Sequence, residues 1–230
     1  MNDPKIDIAA QLASIPMFNG LAPGEVARIA RASREIQAGK GEILFHKGDP
    51  CTGFHIVVSG QIKLAFTSAQ GNEKVVEIIG PGQSFGEAIM FMDKAYIVFA
   101  QALADTHLLH IAKTAMYEEL ERDPALCRKM LAGMAMRLHQ LMNDVESYSL
   151  HSGKQRIIGY LLRALPDDQA EADAATVTLS TRKGVLASRL NLTQEHFSRI
   201  LNELGEMGLI AVQGKHIHIP DLARLRAYEG

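Results

Sequence analysis

The side chains best suited to chemistry in this 230-residue chain lie near its C-terminus. Between Thr193 and Gly208 the apolar residues Phe197, Ile200, Leu201 and Leu204 recur at helical spacing, which turns Glu195, Ser198 and Arg199 to the opposite face near the helix start. Arginine can donate to both O6 and N7 of guanine, glutamate can accept from N4 of cytosine, and serine can serve a base or a phosphate. The N-terminal half of a helix lying in the major groove is the part that reaches base edges. A solvated face carrying a Glu195–Arg199 pair at i,i+4, contributing about 0.3 kcal/mol, explains the charges alone. It does not explain the elements that surround them.

Those elements have a definite order. Thr178–Ser180 reads as a short strand, and 183–190 as a helix with Val185, Leu186 and Leu190 inward. Asn191-Leu192 makes a turn, and the Thr193 hydroxyl can cap the helix predicted over 194–207. Gly208 stands at its C′ position. Residues 209–212, Gly214 and 217–219 then read as a two-stranded wing. This is a winged helix-turn-helix, in which Lys183, Arg189, Thr193 and Lys215 fall where backbone phosphates would lie.

A second set of reactive side chains lies between residues 51 and 110. His55, His107, His110 and Cys51 are possible axial ligands for a haem iron, and no spacing singles one out. In a strand, His107 and His110 would point to opposite faces. A histidine in such a setting is more often a packed or surface residue than a ligand. Met90 and Met92 more often fill irregular gaps than bind metal. His216 and His218 share one face of a strand but have no carboxylate at ligand spacing, so a phosphate-facing wing is the better reading. Cys51 and Cys127 are the only cysteines; they cannot build a disulfide framework or supply the four ligands of an iron–sulfur cluster.

The rest of the chain supplies the frame. From about Glu35 to Ala112, glycines separate short apolar or alternating runs, clearest at 43–45, 55–58, 61–66 and 74–79. Short strands at this spacing predict a barrel or double-sheet jelly roll. After Pro124, Leu131, Met134, Leu138, Leu141, Val145 and Tyr148 step alternately by three and four, the seam of a parallel two-helix dimer. A core helix wants a wider stripe than this. Ser152-Gly153 is a plausible hinge, 155–165 a helix, and the acidic stretch 167–175 a solvated loop. The fold class is therefore α+β: a β jelly-roll domain over 1–123, a dimerisation helix over 124–150, and a winged helix-turn-helix over 151–230.

Net charge is −2, so any DNA-binding surface must be local. No apolar run reaches the length of a membrane span. The start, Met1–Asp7, lacks the pattern of a secretory signal, and a cytoplasmic protein without membrane partners is expected.

From about Ile15 onward the chain resembles the cyclic-AMP receptor protein / fumarate-nitrate reduction regulator family. The resemblance rests on Ile43-Leu44-Phe45-His46-Lys47-Gly48-Asp49, Val58-Ser59-Gly60-Gln61-Ile62-Lys63, Phe85-Gly86-Glu87 and Thr193 to Leu201. It implies a homodimer on a palindromic promoter site in double-stranded DNA, working with RNA polymerase. The Glu-x-x-Ser-Arg helix is similar to the fumarate-nitrate type, which implies TTGAT-like half-sites. Residues 88–93 and 100–102 resemble the dissimilatory nitrate respiration branch, which implies control of nitrogen-oxide respiration by nitric oxide through haem b. The resemblance also implies that the jelly roll is a cyclic-nucleotide-binding-like sensor domain, with an effector pocket around Gly86, Glu87, Met90 and Tyr96.

Cyclic-AMP binding in this family uses an Arg-Ser pair after the Gly-Glu turn. Here the segment reads Ala95-Tyr96-Ile97-Val98-Phe99. No guanidinium is expected there to neutralise a cyclic phosphate, and cyclic AMP or another small ligand is the alternative effector. A jelly-roll metalloenzyme and a nucleotide-binding subunit acting on a protein partner are alternatives from other classes. The first lacks a ligand cluster and a nucleophile–base pair, so no enzyme is expected; the second leaves the DNA-reading module unexplained.

Overall fold

A computed structural model describes residues 7–13, 15, 18, 21–169 and 172–228. Met1 to Ile6, read above for a signal, and residues 170–171 of the acidic stretch lie outside the described residues. The chain forms two compact units, Met1–His139 and Gln140–Gly230. The boundary falls inside the long helix. Segment 124–150 is therefore not a body of its own, as its sequence predicted; it gives its first half to one unit and its second half to the other.

The first unit opens with helices α1 (Ile8–Ala13) and α2 (Pro23–Arg31). Strands β1 (Ser33–Ala38), β2 (Ile43–Phe45), β3 (Gly53–Ser59), β4 (Ile62–Thr67), β5 (Glu73–Ile79) and β6 (Ser84–Phe85) follow. After helix α3 (Glu87–Met92) come β7 (Phe99–Ala102), β8 (Thr106–Ala112), helix α4 (Lys113–Arg122) and the start of α5 (Pro124–Leu150). Two four-stranded antiparallel sheets form, ordered β1-β8-β3-β6 and β2-β7-β4-β5. Between them lies one core cluster, with Phe45, Val57, Ile62, Ile79, Phe85, Tyr96 and Leu108. The other face of the first sheet presents Phe54, Ile56, Leu109 and Ile111 to Leu12, Ile29, Met116, Leu126 and Met130 of the helices.

This double burial explains what the sequence pattern hid. Successive side chains of β3 and β8 point to opposite faces, and both faces are covered, so neither strand alternates. Helices α3 and α4 also went unread. Gly86, with φ of +98°, turns the chain out of β6 into α3, a conformation that favours glycine.

The second unit contains the end of α5, α6 (Gly153–Arg163), a 3-10 turn (Asp167–Gln169), β9 (Ala175–Thr178), α7 (Lys183–Arg189) and α8 (Gln194–Glu206). It ends with β10 (Ala211–Gln213), β11 (His216–Ile219) and α9 (Leu222–Arg226). The wing sheet has three strands, ordered β10-β11-β9, not the two expected. Its third strand begins at Ala175 in the stretch read as loop, because Val177 pairs with Ile217 and both are fully buried. The expected hinge is also packed. Ser152 caps α6 in a reciprocal capping box with Gln155, and a Cβ at Gly153 would lie 2.7 Å from Ile200 Cδ1. Among the described residues no helix is long and apolar enough to cross a membrane.

Candidate DNA-reading face and sensor cavity

Helix α8 is anchored by its apolar stripe. Phe197, Ile200, Leu201 and Leu204 are buried, as are Leu186 and Ala187 of α7. The Thr193 hydroxyl accepts from the His196 amide at 3.2 Å, so it works first as the helix cap. Glu195 and Arg199 are exposed on the outer face, and Ser198 is half-buried beside them. Arg199 pairs with Glu203, one turn further along the helix, Nε to Oε1 at 3.7 Å, instead of with Glu195 one turn before it. Its side chain keeps 68% of its surface open, which leaves the guanidinium able to reach outward. Lys154 also pairs with Glu203, at 2.9 Å, and this hydrogen bond does most to hold the Glu203 carboxyl below its ordinary range. Lys215 is exposed in the β10–β11 turn, and Lys183 is half-buried at the start of α7.

Arg189 departs from the expected phosphate contact. Its Nη2 lies 2.6 Å from Asp144 Oδ2, and its Nη1 donates to the Tyr148 hydroxyl. That hydroxyl donates in turn to the Arg189 carbonyl oxygen. Asp144 is buried on α5, so the guanidinium has a fixed anionic partner inside its own unit. Arg156 acts similarly from α6: its Nη1 donates to the carbonyls of Leu190 and Asn191, at 2.8 and 3.1 Å, and holds the turn between α7 and α8. Neither Asp144 nor Arg156 was identified from the sequence, because their partners lie tens of residues away.

The seam on α5 also shifts. Leu131, Leu138, Leu141 and Val145 are exposed. Met134 is half-buried against the first unit's cavity, and Tyr148 is half-buried against Arg189. Ala135 and Met142 are exposed in their place. The open stripe is therefore Leu131, Ala135, Leu138, Met142 and Val145, with Leu141 on its flank. Leu126 and Met130 define the buried face of the same helix.

The first unit holds a cavity of about 310 Å³, within the range of small-molecule sites. Gly86, Glu87 and Tyr96 line it as expected, together with Phe45, Leu64 and Phe85. Met90 does not; it is fully buried in the other core cluster, and Met92 takes the place at the cavity. Tyr96 stacks on Phe45 with ring centroids 3.6 Å apart, and burial pushes its phenol pKa up. Burial likewise pushes the Glu87 carboxyl up, while a Ser84 hydrogen bond and Arg137 pull it partly back.

Arg137 corrects the expectation that no guanidinium is available. It comes from α5, donates from Nη1 to the Ser84 carbonyl at 2.9 Å, and meets Glu77 through Nη2 at 2.9 Å. Glu87 lies 3.7 Å from it. A lone basic residue on the α5 face that also carries Met130 was the available sign.

None of His55, His107, His110 or Cys51 lines this cavity. His55 and His110 are a cross-strand pair between the sheets, ring centroids 4.9 Å apart, with His55 stacked on Phe85. Burial first, then His110 and Arg34, push the His55 pKa down to about 3. Burial also lowers that of His110, whose Nε2 lies 3.3 Å from Thr52 Oγ1. His107, on the opposite face of β8, contacts the Glu35 carboxylate. Cys51 Sγ lies 3.1 Å from the Gly53 carbonyl. All four therefore lie off the cavity that Glu87 and Arg137 line. Among the described residues no three His, Cys, Asp or Glu side chains gather as a metal site. His216 and His218 each meet a threonine of β9 instead.

A β-sandwich with a ligand-sized cavity, joined through one long helix to a winged helix-turn-helix, defines a DNA-binding regulator with a sensor domain. Comparison with known proteins agrees. The cyclic nucleotide-binding domain family matches residues 35–123, and the Crp-like helix-turn-helix domain family matches 155–228. The anaerobic regulatory protein of Pasteurella multocida is 30% identical over 211 residues, covering 90% of this chain and 75% of its own length. The cyclic AMP receptor protein of Thermus thermophilus is 26% identical, covering 91% and 94%. The crystal structure of DNR from Pseudomonas aeruginosa, 30% identical, aligns over 100% of both chains with a TM-score of 0.52. The chain belongs to the cyclic-AMP receptor protein / fumarate-nitrate reduction regulator family of transcriptional regulators.

Proposed function

We propose that this regulator binds double-stranded DNA as a parallel homodimer, placing the α8 helix of each chain in the major groove of a palindrome with TTGAT-like half-sites. The observation that carries this reading is the outward face of α8. Glu195 and Arg199 are exposed and Ser198 half-open on its first two turns, over a fully apolar inner face. Arg199 reads the guanine, Glu195 accepts from a cytosine, and Lys183, Lys215 and Thr193 position the module on phosphates. The open stripe from Leu131 to Val145 supports the dimer, since two such stripes bury each other. In a two-fold dimer the half-site centres lie about 34 Å apart, one helical turn.

The signal enters at the Glu87–Arg137 cavity, and ligand occupancy shifts a two-state equilibrium of the reading heads. Fluorescence anisotropy with a labelled TTGAT palindrome tests the reading. The wild-type chain is expected to bind it at least a hundredfold tighter than a scrambled duplex at the same salt; equal affinities would overturn it.

A further inference from the structure

We infer that the sensor cavity selects a compact, uncharged, apolar ligand and excludes anions. This rests on the reading of the first unit as the sensor of a DNA-binding regulator. The titratable side chains lining the cavity, among the described residues, are Glu77, Glu87, Tyr96 and Arg137. Two carboxylates thus face one guanidinium, and the lining carries no net positive charge. Arg137 is already committed: Nη2 and Nε meet Glu77 at 2.9 and 3.2 Å, and Nη1 meets the Ser84 carbonyl at 2.9 Å. A phosphate, sulfonate or carboxylate entering here must draw Arg137 away from Glu77. That leaves a half-buried carboxylate unpaired beside a second, buried one. An uncharged ring system makes no such demand. It replaces water against Phe45, Leu64, Phe85, Met130 and Met134 while the Arg137 network stays whole. Phe66, Met92 and Ile97, all exposed, form an apolar rim to the same cavity. The buried Glu87 side chain offers such a ligand one hydrogen-bonding group.

Two dyes that differ by one charged group test this. N-phenyl-1-naphthylamine is neutral, and 1-anilinonaphthalene-8-sulfonate is the same ring system with an anion added. Each is titrated into the full chain and followed by fluorescence. The neutral dye is expected to bind at one per chain, at least tenfold tighter than the sulfonate. Ala88→Trp, at an exposed position on the rim, should abolish that binding without disturbing the core. Glu77→Gln combined with Glu87→Gln leaves Arg137 without its anions, and should raise sulfonate affinity at least tenfold. A sulfonate that binds the wild-type chain as tightly as the neutral dye overturns the inference. So does neutral-dye binding that is absent, or that survives Ala88→Trp. DNA binding is followed by anisotropy in the same samples. Lost dye selectivity with intact DNA binding defeats the ligand class alone; lost DNA binding defeats the regulator reading beneath it.

Discussion

Arg199 carries the sharpest consequence at the scale of single residues. Its guanidinium is open, and its partner Glu203 holds it at 3.7 Å from the same helix face. Arg199→Ala should weaken binding to the specific palindrome by about 1–3 kcal/mol and relax preference at the guanine it reads. Competition among half-sites substituted at each position measures both; an unchanged preference removes Arg199 from base reading. His55 makes a different prediction. It is 6% exposed, and its pKa falls from 6.5 to about 3. The folded state therefore binds fewer protons than the unfolded one between those values. His55 contributes stability above pH 6.5 that is lost as pH falls towards 3, about 2 kcal/mol of it by pH 5. Glu87 has the opposite sign, because its raised pKa favours the fold at low pH and that advantage fades as pH rises. Urea midpoints of wild type and His55→Phe separate the two: the wild type should lose ground to the variant between pH 6.5 and 5, and parallel curves would refute the assignment. The reading face was legible in the sequence because helix periodicity alone sets it. Arg189 was not. Its outward position on α7 suggested a phosphate contact, and only the fold brings Asp144 and Tyr148 to it.

At the scale of elements, α5 does two jobs along its length. Its open stripe should join two chains, and its last turns hold the reading module through Asp144, Tyr148 and Arg189. Leu138→Asp with Met142→Asp puts charges at positions 62% and 64% exposed, and should give monomers by sedimentation. A persistent dimer would place the interface elsewhere. Cys127 is exposed about five helical turns before Val145, on the same side of the helix. In a parallel, in-register pair, a short bis-maleimide should therefore cross-link a Cys51→Ser chain through Cys127; an antiparallel pair should not. Asp144→Ala removes the charge-assisted hydrogen bond to the part-exposed Arg189 and should cost about 2 kcal/mol of stability, read from thermal unfolding. An unchanged unfolding curve would show that the contact holds nothing. The heptad pattern was visible in the sequence, but its phase was not. Steps of three and four admit Met134 or Ala135, and Leu141 or Met142. The choice is settled by what else the helix buries, which here includes the cavity side of Met134.

For the whole molecule, the order of sensor, long helix and winged reading head could be read from the spacing of glycines, apolar residues and caps. The ligand-sized cavity was legible only in part. The cavity gathers Glu77, Glu87 and Arg137 from β5, α3 and α5, which only the folded sheets bring together. Gly86, Glu87 and Tyr96 followed only from the family resemblance, nothing in the spacing pointed to Glu77 or Arg137, and His55, His107, His110 and Cys51 lie off this cavity. The output remains the central claim, and one measurement tests it most directly: anisotropy of a labelled TTGAT palindrome at two salt concentrations, with wild type and Arg199→Ala side by side. Wild-type affinity should fall steeply with salt, as phosphate contacts require, while Arg199→Ala loses specificity yet keeps nearly the same salt slope. A wild-type chain that binds palindrome and scrambled duplex alike, with the variant indistinguishable from it, would contradict sequence reading by α8.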